Sequence, residues 1–183
     1  MCIRDRAHDD GAGIVQSIEV LRTLHAMGYA PRHTLRVVLF INEENGNNGG
    51  KTYARRAREK EEWHVAAVES DAGGDAPRGY SIDASDAGTA AVRSWSESFA
   101  VYGVGDMRRG GAGVDIGPLK KEEPAGKRPL MVGLRPNSQR YFDYHHSNRD
   151  VFENVHEREL KLGAAALTSM VYLLDRLDYD SLD

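Results

Sequence analysis

Residues 35–41 read LRVVLFI, and residues 42–50 continue as NEENGNNGG. The first stretch is an almost unbroken apolar run with two adjacent β-branched valines, the pattern of a strand buried on both faces. The second is rich in Gly and Asn and reads as the loop that ends it. Upstream, Ile14, Val15, Ile18, Leu21, Leu24 and Met27 recur at three- and four-residue steps, and Gly28 supplies a stop, so a helix is expected after Gly11 and Gly13. Downstream, Lys51 to Glu62 is charged and suits a helix. His64 to Glu69 (HVAAVE) is short and strand-like, and runs into Ser70-Asp71. The order helix, strand, loop, helix, strand predicts an α/β fold whose mixed, mostly parallel sheet is flanked by helices. In such sheets, sites form at the carboxyl ends of strands. The acidic clusters Glu43-Glu44 and Glu69-Ser70-Asp71 fall at those ends.

The second half is less regular. Thr89 to Phe99 suits a helix, Gly103 to Lys121 is glycine-rich and reads as loop, and Pro129 to Leu134 (PLMVGL) suits a strand. Ser138 to Arg149 carries a dense cluster of aromatic and His residues. Glu157 to Leu177 closes the chain as a long helix, with Leu160, Ala164, Leu167, Val171 and Leu174 on one face. No internal repeat or low-complexity tract interrupts the 183 residues, a length that suits one domain.

Bulk composition narrows the function classes. Twenty-four basic and 28 acidic residues leave a net charge of −4, so there is no electrostatic case for nucleic acid or an anionic membrane. No apolar run approaches the roughly 20 residues that span a bilayer. The single cysteine, Cys2, excludes an internal disulfide and a thiolate metal site, so any metal must be held by His, Asp and Glu. Residues 1–6 (MCIRDR) have neither a signal-peptide nor a transit-peptide pattern. They read as a foreign or mis-called leader, ahead of residues 7–183 as the C-terminal portion of a larger domain.

Five segments set acidic or His residues in apolar or glycine-rich surroundings: Asp9-Asp10-Gly11, Glu43-Glu44-Asn45-Gly46, Glu69-Ser70-Asp71, Asp115-Ile116-Gly117-Pro118 and His145-His146-Ser147. Each alone has a plain structural reading. An Asp before a helix is an ordinary N-cap, an acidic pair at a strand end is ordinarily solvated, Asp71 could cap a turn, and a His among aromatics is ordinarily a packing residue. Taken together they place Asp, Glu-Glu, Asp and His donors in sequence at successive expected strand ends. Without cysteine, that inventory suits Zn²⁺ or a similar divalent ion. A metallohydrolase also needs one carboxylate on the metal and a second free to move protons, which the Glu43-Glu44 pair offers.

The blocks HDDGAG, RVVLFINEENG, ESDAGG, GGAGVDIGPL and DYHHSNRD, in this order from Ala7 to the last helix, resemble the co-catalytic zinc aminopeptidase and glutamate carboxypeptidase families. The plasma glutamate carboxypeptidase-like (carboxypeptidase Q-like) branch is the most similar. The resemblance implies the zinc exopeptidase fold and two Zn²⁺ ions in the intact site. It matches Asp9 to the aspartate bridging both metals, Glu44 and His146 to the rest of the first site, and Asp71 to the second. Glu43 matches the general acid/base and His145 a position that stabilises the oxyanion, while Asp115 matches an acidic residue near the site. The families' remaining ligand, a His in an H-x-D motif upstream, has no counterpart, because His8 directly precedes Asp9. The implied reaction is amide hydrolysis of short peptides or dipeptides. The resemblance further implies a secreted, periplasmic or lysosomal setting and leaves a homodimer open. Two rival readings are a receptor-like relative that has lost catalysis and a single-zinc, glutaminyl cyclase-like acyltransferase.

Overall fold

Four strands form one mixed sheet in the order β1–β4–β2–β3. The computed structural model describes residues 6–122 and 128–182, so Cys2 and all of the expected leader except Arg6 lie outside the described residues. The strands are β1 (Ala66–Glu69), β2 (Pro77–Asp83), β3 (Asp106–Arg109) and β4 (Leu130–Pro136). β1 runs parallel to β4 and β2 parallel to β3, while β2 and β4 are antiparallel. The α/β class and mixed, mostly parallel character expected from the sequence are therefore present. β4, with its first five residues all buried, takes the interior position that the run PLMVGL implied.

Helices cover the sheet. α1 spans Gly11–Ala26, α2 Asn48–Glu59, α3 Asp86–Arg93, α4 Ser96–Ala100, α5 Leu119–Glu122, α6 Tyr141–Tyr144 and α7 Glu157–Arg176. α1 packs on α7, and α7 lies over the sheet, where the Tyr80 hydroxyl donates to the Ala166 carbonyl at 2.9 Å. Tyr80, Ile82, Val92, Val132 and Met170 form the fully enclosed centre of the main core. No helix among the described residues is long and apolar enough to cross a membrane.

Several expectations need correction. The expected strand Leu35–Ile41 makes no sheet pairing. It runs beside the open edge of β1, across an apolar cleft of about 210 Å³ bounded by Leu35–Val38 and Val65–Val68. Its position is set by its ends and side chains instead. Ile41 accepts the Gly49 amide, Arg36 reaches Tyr53 and Glu62, and Phe40 meets the Tyr53 ring edge-on. Among the expected α1 core residues only Leu24 is buried, while Val15, Ile18 and Met27 are 52%, 49% and 73% exposed. The helix turns Ala12, Gly13, Gln16, Val20 and Leu24 inward because Gly13 sits where a Cβ would run into the Ser70 carbonyl, and Gln16 bonds Ser70 and Leu160. The expected single helix over 89–99 is broken into α3 and α4 by a turn. The expected loop 103–121 contains β3 and the start of α5. β3 is an edge strand with only Met107 buried, so its sequence carries little apolar signal.

The approach to residues 35–41 is fixed by one carboxylate. Asp175, near the end of α7 and buried, accepts the Tyr29 hydroxyl at 2.6 Å, the Arg32 and His33 amides at 2.9 Å each, and lies 3.1 Å from His33 Nδ1. Burial alone would raise its pKa, but these bonds outweigh it and hold the group at about 2 against an ordinary 3.8. Asp175→Asn should lower stability by about 2–4 kcal/mol, since it turns an amide NH₂ toward backbone donors and leaves one unsatisfied. Because the folded pKa lies below the unfolded one, the ionised group stabilises the fold above about pH 4, and this is lost as pH falls toward about 2. Thermal melts across that window should show a shallower acid limb in the variant.

Candidate metal centre

Three loops converge at one end of the molecule. Asp9 sits in the turn before α1, next to Asp10, whose carboxylate accepts the Gly13 amide at 2.9 Å and caps the helix. The Asp9–Asp10 peptide is cis. Glu43 and Glu44 lie in the turn after residues 35–41, between Asn42 and Asn47, which both take left-handed backbone conformations. His145 and His146 follow α6, and His146 itself has φ +54.

His146 Nε2 is 2.9 Å from Glu44 Oε1 and 3.3 Å from Asp9 Oδ2. His145 Nε2 is 3.6 Å from the same Asp9 oxygen, and the two imidazoles stack at 3.8 Å between centroids. Asp9, His145 and His146 each offer a donor atom within 4.8 Å of the others. Tyr141 stacks behind His145 at 4.7 Å. Beside this group is a small hollow of about 70 Å³ walled by Asp9, Glu43, Glu44, Asp71 and Asp115. Asp71 lies two residues past β1, and it alone of these residues closely follows a hydrogen-bonded strand. The expectation that every donor would sit at a strand end therefore gives way to a site built mainly from turns. The cause is that residues 35–41 do not pair and the Asp9 turn precedes a helix.

The electrostatics record carboxylate crowding. Burial, and then Glu44, raise the Asp9 pKa, while both His residues oppose the shift. Burial, followed by Asp9 and Glu44, raises Asp71. Asp10 is pushed up to about 9 by burial and then by Asp71, and Asp115 to about 6 by burial, Asp71 and Glu43. Asp115 Oδ1 is buried with no hydrogen-bond partner among the described residues. Buried carboxylates without partners are costly, and a divalent cation is one agent that relieves both desolvation and mutual repulsion. Oxygen and imidazole donors with no thiolate suit zinc.

The profile of peptidase family M28 matches residues 4–171. The chain belongs to peptidase family M28. Among similar proteins, mouse (Mus musculus) carboxypeptidase Q is 27% identical over 172 residues, covering 94% of this chain and 36% of that protein. Bovine (Bos taurus) carboxypeptidase Q is 26% identical over 172 residues, covering 94% and 35%. The crystal structure of a peptidase M28 precursor from Shewanella amazonensis SB2B superimposes with a TM-score of 0.82 at 27% identity, over 92% of this chain and 37% of that one. The chain thus spans about a third of the length of the curated relatives it matches.

Sequence reasoning assigned no role to three residues that shape this M28 site. Glu69, at the end of β1, accepts the Val114 and Ile116 amides at 2.8 and 2.9 Å and so holds the loop bearing Asp115. Burial raises Glu69 to about 7, against the pull of the Ile116 amide. His8 is buried, with its ring stacked on Tyr144 at 4.9 Å. Asp150 is buried beneath the Asp9 turn. The signal for Glu69 was its place in an acidic cluster at the end of an apolar strand, which does not reveal the amides it binds. Asp150 had none beyond its closeness in sequence to His146.

Proposed function

We propose that this chain is the metal-holding part of a zinc-dependent exopeptidase, carboxypeptidase Q-like, that hydrolyses amide bonds of short peptides or dipeptides. The observation that carries the reading is the meeting of Asp9, Glu44, His145 and His146 within a few bonds' reach, in a chain of the M28 family. Asp9, Glu44 and His146 would hold one zinc, and Asp9 with Asp71 would hold a second. Zinc held there would polarise the scissile carbonyl and acidify water. Glu43, on the wall of the same hollow, takes the proton of the attacking water and delivers it to the leaving amine. His145, held by the Tyr141 stack, faces the developing oxyanion. Asp115 lines the same hollow, where burial and then the neighbouring charges of Asp71 and Glu43 disfavour its ionised form in the absence of a cation.

Metal analysis of the purified chain should return nearer one zinc than two, because the second site has only Asp9 and Asp71 as matched ligands. Two tightly held ions would show that the second site is complete without a further imidazole. Dipeptide hydrolysis and N-terminal glutamine cyclisation should be assayed side by side, with and without chelator. Chelator-sensitive hydrolysis supports the peptidase, cyclisation alone supports the acyltransferase, and neither, with zinc bound, supports a receptor-like relative.

A further inference from the structure

Asp150 lies four residues beyond His146, is buried, and has no part in the chemistry above. Its two carboxylate oxygens accept the backbone amides of His8 and Asp9, at 2.6 and 3.1 Å. The segment between His146 and Asp150 is a series of tight turns. The Asp150 amide bonds the Ser147 carbonyl at 3.2 Å, the Ser147 amide bonds the Tyr144 carbonyl at 2.9 Å, and the Ser147 hydroxyl donates to Tyr144 and accepts from the Arg149 amide. Little slack therefore separates the imidazole of His146 from the carboxylate that grips Asp9. His8 adds two more ties. Its Nδ1 accepts the Gly74 amide at 3.2 Å, which leaves Nε2 as the donor to the Asn154 carbonyl at 3.2 Å. Gly74 is three residues past Asp71, so the loop bearing that acid is held to the same ring.

We propose that Asp150, supported by the His8 ring, is the positioning residue of the metal centre, fixing the Asp9 turn against the loop of His145 and His146. This rests on the metal-site reading above. The physical argument is one of preorganisation. Asp9 lies 3.3 and 3.6 Å from the two imidazoles only while its backbone stays in place, and two bonds from a buried carboxylate to the His8 and Asp9 amides hold that backbone, beside the Arg6 amide on the Asp9 carbonyl at 2.7 Å. A residue that merely stabilised the fold would leave metal affinity unchanged in a folded variant.

The test compares Asp150→Asn with Asp175→Asn, which alters a second buried carboxylate that also grips two successive amides, far from the site. Both should lower the melting temperature. Only Asp150→Asn should weaken zinc, by about 10–100-fold in competition with a chromophoric chelator, the usual effect of disturbing groups behind metal ligands. It should also change the visible absorption of Co²⁺ bound in place of zinc, which reports ligand number and geometry. Unchanged affinity and Co²⁺ spectrum in folded Asp150→Asn would overturn the inference. Wild-type protein that took up neither metal would overturn the site reading itself and this inference with it. If Asp150→Asn does not fold, Ser147→Ala, which loosens the same turns, should show a smaller loss in the same direction, and unchanged affinity there overturns the inference equally.

Discussion

Glu43→Gln should leave zinc content close to wild type while kcat for dipeptide hydrolysis falls by about 10²–10⁴-fold, the usual contribution of a positioned general base. Glutamine keeps the shape of the side chain but cannot accept a proton from water. The lost interaction is made in the transition state, so KM should move much less than kcat. Its neighbour should behave differently. Glu44 Oε1 is 2.9 Å from His146 Nε2, inside the group of donors, so Glu44→Gln should lower zinc occupancy together with rate. Two adjacent carboxylates that were simply solvated at a turn would show no such split. Near-normal activity and zinc in both variants would end the catalytic assignment.

The other large effect is expected at His146. His146→Ala should weaken zinc binding by more than about 100-fold, exceeding the effect of groups behind the ligands. Stability without metal should change by only about 0–1 kcal/mol, because the imidazole is 43% exposed and its contacts with Glu44 and Asp9 are partly solvated. Zinc titration and a metal-free melt together separate the two readings of this residue. A surface salt bridge would register, if at all, in the melt alone. Affinity within a few-fold of wild type would remove His146 from the ligand set.

Much of the fold could be read from local pattern. The α/β class, the closing helix and the strand at PLMVGL carry strong apolar periodicity, and each is present. β2 was not anticipated because Pro77, Arg78 and Gly79 resemble a loop, and only Tyr80 and Ile82 mark its buried face. Residues 35–41 show the opposite failure. Their composition is that of an interior strand, yet pairing depends on a neighbouring edge that local sequence does not describe. The donors at Asp9, Glu44 and His146 stood out because acids and His in glycine-rich or aromatic settings invite explanation. The roles of Asp150 and Glu69 did not, since their partners are backbone amides 142 and 45 residues away, and an amide has no signature in sequence.

The run LRVVLFI has a consequence of a colloidal kind. Among the described residues, no hydrogen bond reaches the backbone of Leu35–Phe40, and Leu39 and Ile41 are 47% and 73% exposed. Such a stretch, with high β-propensity and no proline, has the composition of segments that stack into cross-β fibrils. Arg36 is the single charge within it, and that charge is held by Glu62 and Tyr53. Within the run the guanidinium is therefore the one charge that opposes such stacking, with Glu43 and Glu44 flanking the run two and three residues beyond Ile41.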